Sequence, residues 1–291
     1  MQLKLVECPR DAMQGWSHFI STEKKINYLQ KLLEVGFDTL DFGSFVSPKA
    51  IPQLADTAEV LKKLDVSDTR TKLLAIIANT RGAEEAVAYE QIRYLGFPFS
   101  ISETFQQKNT NSSIEESLHT VEKIQSLCVQ RNKDMVVYIS MGFGNPYGDP
   151  YTSDIALHWV ERLAQLGIHI FSMSDTVGVS NPENIAYIFS HLVPAFKNLE
   201  FGAHFHSTVE TRREKLKAAF DNGCRRFDSA IHGIGGCPMA QNELVGNMAT
   251  EDVIGFFGEQ QIDLKLNSNA LAEATILSNE IFIKKSIAFK F

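Results

Sequence analysis

The sequence predicts an α/β fold, a single closed (β/α)8 or TIM barrel that continues into a C-terminal helical extension. Three observations support this prediction. Short apolar or β-branched runs alternate with longer segments of helical period, eight such units fit within 291 residues, and no Gly/Ser-rich linker divides them. We therefore expect one domain over residues 1–291, with the barrel over about 3–260 and helices over about 261–291.

The predicted strands are short runs that are rich in apolar, β-branched and aromatic residues. In chain order they are 3–7, 39–42, 72–76, 98–101, 135–140, 169–173, 200–204 and 226–229. The clearest helical periods between them are 22–35, 114–131, 153–166, 182–191 and 209–222. The order strand, helix, strand along the whole chain is what favours a parallel barrel.

Several predicted helices carry start and stop signals. Ser113 and Glu116 have the Ser-x-x-Glu spacing of a capping box, and Asn181 before Pro182 is typical of a helix start. Three glycines follow predicted helices where the chain needs positive φ before the next strand: Gly36, Gly167 and Gly223.

An open doubly wound sheet is the competing architecture. It predicts a GxGxxG fingerprint after the first strand, and none is present there. The glycine-rich segment 233–236 comes late and lacks the full fingerprint, so it is weak evidence for nucleotide binding.

Composition excludes two partner classes. The 28 Lys and Arg residues against 35 Asp and Glu give a net charge of −7, which argues against a nucleic-acid partner. No apolar run approaches the roughly 18 residues of a membrane span, so we expect no membrane partner. The first residues show no signal or transit composition, and the four cysteines have neither CxxC nor staple spacing. We therefore expect free thiols and a cytoplasmic location.

The sharpest local signal is the pair His204 and His206 at the end of the seventh predicted strand. Residues i and i+2 of a strand project from one face, so both imidazoles can reach one cation. Two histidines that hydrogen-bond in a barrel mouth are the alternative interpretation. Asp11 after strand 1 and Asn247 after strand 8 could complete the site, because strands 7, 8 and 1 are neighbours in a closed barrel. Two imidazoles and two oxygens suit Mg²⁺ or Mn²⁺, although imidazole also accepts Zn²⁺.

Three further strand-end residues are candidates with an alternative each. Arg10 could stabilise a developing oxyanion or carboxylate, or form an ordinary surface ion pair. Cys237, between glycines and a proline, could exchange a proton with substrate in a mobile loop, or be a buried small apolar residue. Asp175, in a Ser-Asp-Thr turn, is equally explained as an Asx-turn residue.

Taken together, these motifs resemble the metal-dependent acyl-CoA lyase and synthase barrels of the DRE-TIM metallolyases, named after an Asp-Arg-Glu signature. The resemblance is closest to the 3-hydroxy-3-methylglutaryl-CoA lyase family and covers about residues 3–280. The matching segments are 9–14, 44–49, 52–53, 108–109, 111–117, 175–178, 204–206, 235–240 and 246–252.

The resemblance implies retro-Claisen cleavage of an acyl-CoA thioester, 3-hydroxy-3-methylglutaryl-CoA, to acetyl-CoA and acetoacetate. It also implies a homodimer. Asp11, His204, His206 and Asn247 match the metal ligands of the family. Arg10 matches the arginine at the enolate oxygen, Cys237 the loop thiol, and His204 also the histidine that moves the substrate's hydroxyl proton.

The resemblance further implies a set of substrate-binding residues. Gln14, Asn109 and Asp175 lie in matching segments. Because acyl-CoA is strongly anionic, local cations must line the entrance of an acidic protein, and Lys49 and Lys108 are the first candidates.

The chain departs from the family pattern at several supporting positions. Asp41 stands where the signature has Glu, so its reach toward Arg10 is an open question. Ala12 replaces a glycine, and 15–17 lack a lysine that is common there. Ser207 replaces an aspartate that would support the paired histidines. The segment 210–215 is more charged than expected.

The departures leave two alternatives beside the lyase. One is a related acyl-CoA lyase, Claisen-type synthase or aldolase that acts on another hydroxyacyl substrate; the Gly-Gly-Cys-Pro loop argues against the synthase. The other is a catalytically degenerate barrel with a binding or regulatory role. Retention of all four ligand positions and of Cys237 argues against it.

Overall fold

The computed structural model describes residues 2–236 and 245–282. Within them a parallel barrel closes as the sequence predicts, because β1 pairs with both β2 and β8, and β6 pairs with β7. Its strands are β1 (Lys4–Glu7), β2 (Thr39–Ser44), β3 (Lys72–Ile76), β4 (Ile92–Ser100), β5 (Asp134–Ser140), β6 (Ile170–Asp175), β7 (Glu200–Ser207) and β8 (Arg226–Ser229). A two-residue strand, β9 (Gly246–Asn247), pairs antiparallel with the end of β7.

Helices surround the barrel. They are α1 (Pro9–Gln14), α2 (Thr22–Val35), α3 (Thr57–Lys63), α4 (Thr80–Ala86), α5 (Glu103–Thr110), α6 (Ile114–Gln130), α7 (Ser153–Gln165), α8 (Pro182–Ala195), α9 (Arg212–Asp221), α10 (Thr250–Glu259) and α11 (Ser268–Phe282). Ser113 and Asn181 each form a capping box, and the three glycines that were predicted to follow helices, Gly36, Gly167 and Gly223, have positive φ.

The apolar core has two layers. The larger lies between the strands and the helices, and a smaller one fills the barrel itself with residues such as Leu74, Val136 and Tyr138. The barrel interior also contains buried charges, among them Arg226 and Asp228.

Glycine makes room for one of these interior side chains. A Cβ at Gly202 would lie 2.9 Å from Cδ of Arg226, the strand partner of Gly202, so a larger residue there would force the arginine to move.

The structure corrects two local predictions near the site. Residues 9–14, expected to be a strand-end turn, form α1, so Arg10 and Asp11 stand on the first turn of a helix with Pro9 at its start. The strand predicted from residue 98 begins at Ile92. Gly96 interrupts the apolar run there, and the structure needs it because a Cβ would come within 2.6 Å of Cδ1 of Ile76.

At the C-terminal end, α11 packs against α2. The ring of Phe282 lies edge-on to Trp16 at 5.4 Å, and Lys31 pairs with Glu273 at 2.7 Å. Residues 283–291 of the predicted extension lie outside the described residues. Among the residues that the structure describes, every helix is too short or too polar to cross a membrane.

Candidate active site

Arg10 and Asp41 form a buried ion pair at the carboxyl ends of β1 and β2. Nε of Arg10 donates to both carboxylate oxygens of Asp41, at 3.2 and 3.0 Å, and Nη2 donates to Oδ2 at 2.6 Å. Nη1 donates to Asp11 at 3.0 Å and to Gln14 at 2.8 Å. The aspartate at position 41 therefore reaches the arginine although its side chain is one methylene shorter than glutamate.

Burial and the neighbouring charges shift the pKa values of both Arg10 and Asp41. Burial raises the pKa of Asp41 to about 6, in spite of Arg10, and the nearby Asp11 and Asp228 add to the rise. Burial alone would lower the pKa of Arg10, but Asp41 and Asp11 outweigh it and raise that pKa above its ordinary value. The guanidinium is therefore a permanent cation at this position.

Asp11, His204 and His206 bring three ligand atoms within 4.8 Å of one another; Asp11 and His206 are buried, and the side chain of His204 is 12% exposed. The two imidazoles are neighbours because they alternate along β7, as the sequence predicts. Asn247 joins them because β9 places it opposite His206. Its Nδ2 donates to Asp11 at 2.7 Å and to the carbonyl of Ile234 at 2.9 Å, and its Oδ1 takes no hydrogen bond from the described residues, so it is available to a cation.

Each imidazole is oriented through its Nδ1. In His204 this atom lies 3.1 Å from Oδ2 of Asp228, and in His206 it lies 2.9 Å from the carbonyl oxygen of Thr176. Nε2 of His206 is buried and has no hydrogen-bond partner among the described residues. A buried nitrogen left free beside a carboxylate and a second imidazole fits a divalent cation.

Sequence reasoning missed Asp228 as the partner of His204. Ser207 stands where a supporting carboxylate is expected, and among the described residues its hydroxyl donates only to the sulfur of Met248, at 3.8 Å. The signal that was missed is Asp228 itself, a carboxylate inside the eighth predicted strand. It lies two residues after Arg226, so both side chains project from the same face of that strand.

The same contacts shift the ionisation of the three ligands. Burial lowers the pKa of His204, but the hydrogen bond and charge of Asp228 exceed this effect and raise it overall. Burial and the charge of His204 lower the pKa of His206. Burial raises the pKa of Asp11, but Arg10 and the two histidines overcome it and lower that pKa. Asp11 is thus favoured as a carboxylate and His206 as a neutral ligand.

The proposed metal ligands and Arg10 lie next to a cavity of about 420 Å³. Arg10, Asp11, His204 and His206 line it, together with an apolar wall that includes Val46, Ile51, Ile76, Pro98, Phe105 and Tyr138. Of the predicted substrate-binding residues, Gln14, Lys108 and Asn109 also line it. Lys49 is exposed next to the lining residue Ala50.

The structure does not bring Asp175 to this cavity. Its carboxylate is buried and accepts hydrogen bonds from Lys215 at 2.7 Å, from the backbone of Val179 at 2.8 Å and from the hydroxyl of Ser180 at 2.6 Å. Because these hydrogen bonds occupy its oxygens, Asp175 stabilises the loop after β6. The interpretation of Asp175 as a turn residue therefore describes it better than a role in substrate binding. Cys237 lies outside the described residues.

The HMGL-like family matches residues 3–277. A hydroxymethylglutaryl-CoA lyase of Bacillus subtilis is 33% identical over 259 residues, 89% of this chain and 85% of that protein. A 3-hydroxy-3-isohexenylglutaryl-CoA/hydroxymethylglutaryl-CoA lyase of Pseudomonas aeruginosa is 32% identical over 276 residues, 94% of this chain and 90% of that protein.

Solved structures agree with the sequence comparisons. An HMG-CoA lyase from Acinetobacter baumannii, in complex with coenzyme A and 3-methylmalate, superposes with a TM-score of 0.89 at 30% identity, over 97% of this chain and 91% of that one. The HMG-CoA lyase of Bacillus subtilis superposes with a TM-score of 0.89 at 31% identity, over 96% and 93%. The sequence motifs, the barrel and these matches lead to one conclusion: the chain belongs to the HMGL-like family.

Proposed function

We propose that this protein is a lyase that cleaves 3-hydroxy-3-methylglutaryl-CoA to acetyl-CoA and acetoacetate by a retro-Claisen reaction, with Mg²⁺ or Mn²⁺ as its cation. One observation carries the proposal. A guanidinium held by Asp41 lies beside the ligand group of Asp11, His204 and His206, and both open into the same cavity. The family members that are named hydroxymethylglutaryl-CoA lyases also support the proposal.

The reaction needs a group that removes the proton from the tertiary hydroxyl. Asp11, His204, His206 and Asn247 would hold the cation, which makes that hydroxyl more acidic. His204 would accept the hydroxyl proton, and Asp228 behind it stabilises the imidazolium that forms. Because Asp228 occupies Nδ1 of His204, Nε2 is the atom left for either role, and it would take the proton when Asp11, His206 and Asn247 hold the cation without it.

Breaking the carbon–carbon bond leaves negative charge on the thioester enolate. Arg10 would stabilise that charge, because the guanidinium is fixed in place before the substrate arrives. Cys237 is proposed, from the family resemblance, to assist proton transfer to the enolate. The apolar wall of the cavity limits access of water to the carbanion equivalent.

The entrance must accept the anionic CoA portion. Lys108 is exposed at the edge of the cavity and lies over the ring of Tyr147, 4.3 Å from its centroid, while Asn109 follows it on α5. Gln14 faces the cavity beside Arg10, and Lys49 stands exposed next to its wall. Asp175 is left out of the proposed substrate site, because Lys215 and the following loop occupy its carboxylate.

Cleavage of a related 3-hydroxyacyl-CoA with a longer 3-substituent is the second candidate. The apolar wall around Ile76 and Pro98 favours it, since a hydrocarbon branch would gain roughly 0.8 kcal/mol for each buried methylene. We also propose a homodimer, on the family resemblance, and a cytoplasmic location, on the spacing of the cysteines. Size-exclusion chromatography with light scattering tests the dimer.

The direct test incubates purified protein with 3-hydroxy-3-methylglutaryl-CoA and either Mg²⁺ or Mn²⁺ and measures acetoacetate. A longer-chain 3-alkyl analogue in parallel separates the two candidates. His204→Ala should abolish turnover and weaken Mn²⁺ binding, while Cys128→Ala, in the buried α6 core, should keep the parental rate. Absence of product from both substrates, with a control lyase active, would contradict the proposal.

A further inference from the structure

A second group of ligand atoms lies next to the first, deeper in the barrel. The sulfur of Cys8, a ring nitrogen of His204 and a carboxylate oxygen of Asp228 lie within 4.8 Å of one another; Cys8 and Asp228 are buried, and His204 is largely so. They meet because β8 pairs with β1 on one side and with β7 on the other. Cys8 directly follows β1, and Asp228 lies on β8.

Two of these groups have capacity for a further ligand. Oδ1 of Asp228 is buried and has no hydrogen-bond partner among the described residues, and Asp228 is 3% exposed. Its other oxygen is shared by Ser172 at 3.3 Å and His204 at 3.1 Å. Among the described residues, the Cys8 thiol makes only a weak contact, with the carbonyl oxygen of Val6 at 4.0 Å. A buried acceptor without a donor is an observation that points to a ligand.

The charge around this group is negative. Burial raises the pKa of Cys8, and Asp228, Asp41 and Asp11 raise it further. Arg10 contacts the latter two carboxylates and makes no hydrogen bond to Asp228 among the described residues. Arg226, buried on the same face of β8, offsets part of this charge: burial lowers its pKa, but Asp228 outweighs burial and raises it. Arg226 makes no hydrogen bond to Asp228 among the described residues, so Oδ1 stays open to a divalent cation between Cys8 and Asp228.

We propose that Cys8, His204 and Asp228 form a second metal site that takes a thiophilic divalent ion such as Zn²⁺ and thereby inhibits the enzyme. Sulfur, imidazole and carboxylate are the ligands that Zn²⁺ prefers, whereas Mg²⁺ disfavours thiolate. The thiol proton passes to solvent when the Sγ–metal bond forms. An ion at this site withdraws Nδ1 of His204 from Asp228, so the imidazole loses the orientation it needs for the first site.

Cobalt provides a test that needs no activity. Co²⁺ bound to a thiolate shows near-ultraviolet charge-transfer absorption, whereas Co²⁺ bound to oxygen and nitrogen alone does not. We expect this absorption from the parent protein, from Cys128→Ser and from Cys237→Ser, and its loss in both Cys8→Ser and Cys8→Ala. Circular dichroism checks that each variant is folded. A parent without the absorption, or a folded Cys8 variant that retains it, would overturn the proposal.

Zn²⁺ inhibition is the second measurement, and this part rests on the proposed lyase function. With Mg²⁺ in fixed excess, the Zn²⁺ concentration for half inhibition should rise on the order of tenfold or more in Cys8→Ser, relative to that variant's own uninhibited rate. If Zn²⁺ merely replaced Mg²⁺ at Asp11, Cys8→Ser would be as sensitive to Zn²⁺ as the parent protein, and that result would overturn the inhibitory site. Because the cobalt signal is independent of turnover, failure of the lyase proposal and failure of the second site are distinguishable.

Discussion

Two buried ion pairs stand on opposite sides of the barrel mouth. Arg10 and Asp41 join the ends of β1 and β2 at 2.6 Å, and Lys215 and Asp175 join α9 to the end of β6 at 2.7 Å. Their side chains are almost equally buried. They differ in what surrounds them, because Arg10 lines the cavity whereas Asp175 and Lys215 do not.

The pair on the β6 side is sealed by the protein's own backbone. Lys215 also donates to the carbonyl oxygens of His206 at 3.0 Å and Gly178 at 3.3 Å. The loop that it holds contains Thr176, whose carbonyl oxygen accepts from His206. The sealed pair therefore fixes the position of a proposed ligand, whereas the open pair presents its charge to substrate.

The comparison shows that one type of contact serves two purposes according to its access to the cavity. Removing one partner of a buried pair is costly, because the other charge remains without water. We expect the sealed pair to affect mainly stability and the open pair to affect mainly turnover.

The largest expected effect is on the sealed pair. Lys215→Met leaves the Asp175 carboxylate buried without a cation and should lower the free energy of unfolding by about 3–5 kcal/mol. Chemical denaturation measures it. Lys217→Met, which removes an exposed pair with Asp221, is the matched control and should cost less than about 1 kcal/mol. A Lys215→Met variant as stable as this control would remove the distinction between the two pairs.

The open pair should respond in turnover. Arg10→Gln removes the proposed enolate-stabilising charge and should lower kcat by about 10²–10³-fold, the usual effect of losing one such donor. Arg213→Gln, at an exposed pair with Glu259, should keep the parental kcat. Steady-state kinetics on the folded variants measures this effect. A decrease in kcat of less than about tenfold in Arg10→Gln would argue against Arg10 as the residue that stabilises the enolate.

A smaller effect is expected at Asp41, which positions Arg10 without facing the reacting atoms. Asp41→Asn should lower kcat/KM by about 10–100-fold, because Arg10 loses its bidentate partner but keeps Asp11 and Gln14. Asp41→Glu restores the carboxylate of the family signature and should retain more activity than Asp41→Asn. Equal activity of the two variants would show that the charge at position 41 does not position Arg10.

Glu7 is a buried carboxylate that pairs with no cation among the described residues. It accepts from the backbone of Ile231 at 2.8 Å and from Thr250 at 2.6 Å, and burial raises its pKa from 4.5 to about 8. The folded protein therefore keeps this proton in a range where the unfolded chain releases it, so stability falls as pH rises from about 4.5 to about 8. The slope from this group is at most about 1.4 kcal/mol per pH unit.

Glu7→Gln keeps the shape but cannot ionise; its oxygen can still accept from Ile231, and its amide nitrogen can donate to the hydroxyl of Thr250. Denaturation of parent and variant at several pH values should give a difference in unfolding free energy that grows toward pH 8 in favour of the variant. Parallel pH profiles for the two proteins would mean that Glu7 titrates normally.

Much of the fold and part of the site could be predicted because the signals are local. Alternation along β7 places His204 and His206 on one face, and Ser113 and Asn181 carry their capping patterns within four residues. The short helix that presents Arg10 escaped prediction, since the six residues from Pro9 to Gln14 are too few to show a helical period. For Asp175, its turn sequence supported two readings, and only the position of Lys215 decides between them.

The sequence by itself determined the order of strands and helices, the closure of the barrel and the residue types at the strand ends, because periodicity and capping depend on neighbours along the chain. Only the tertiary structure decided which charges meet. Asp228 reaches His204 from 24 residues away and Lys215 reaches Asp175 from 40. Such pairs depend on strand register and on the space inside the barrel, and no local pattern specifies either.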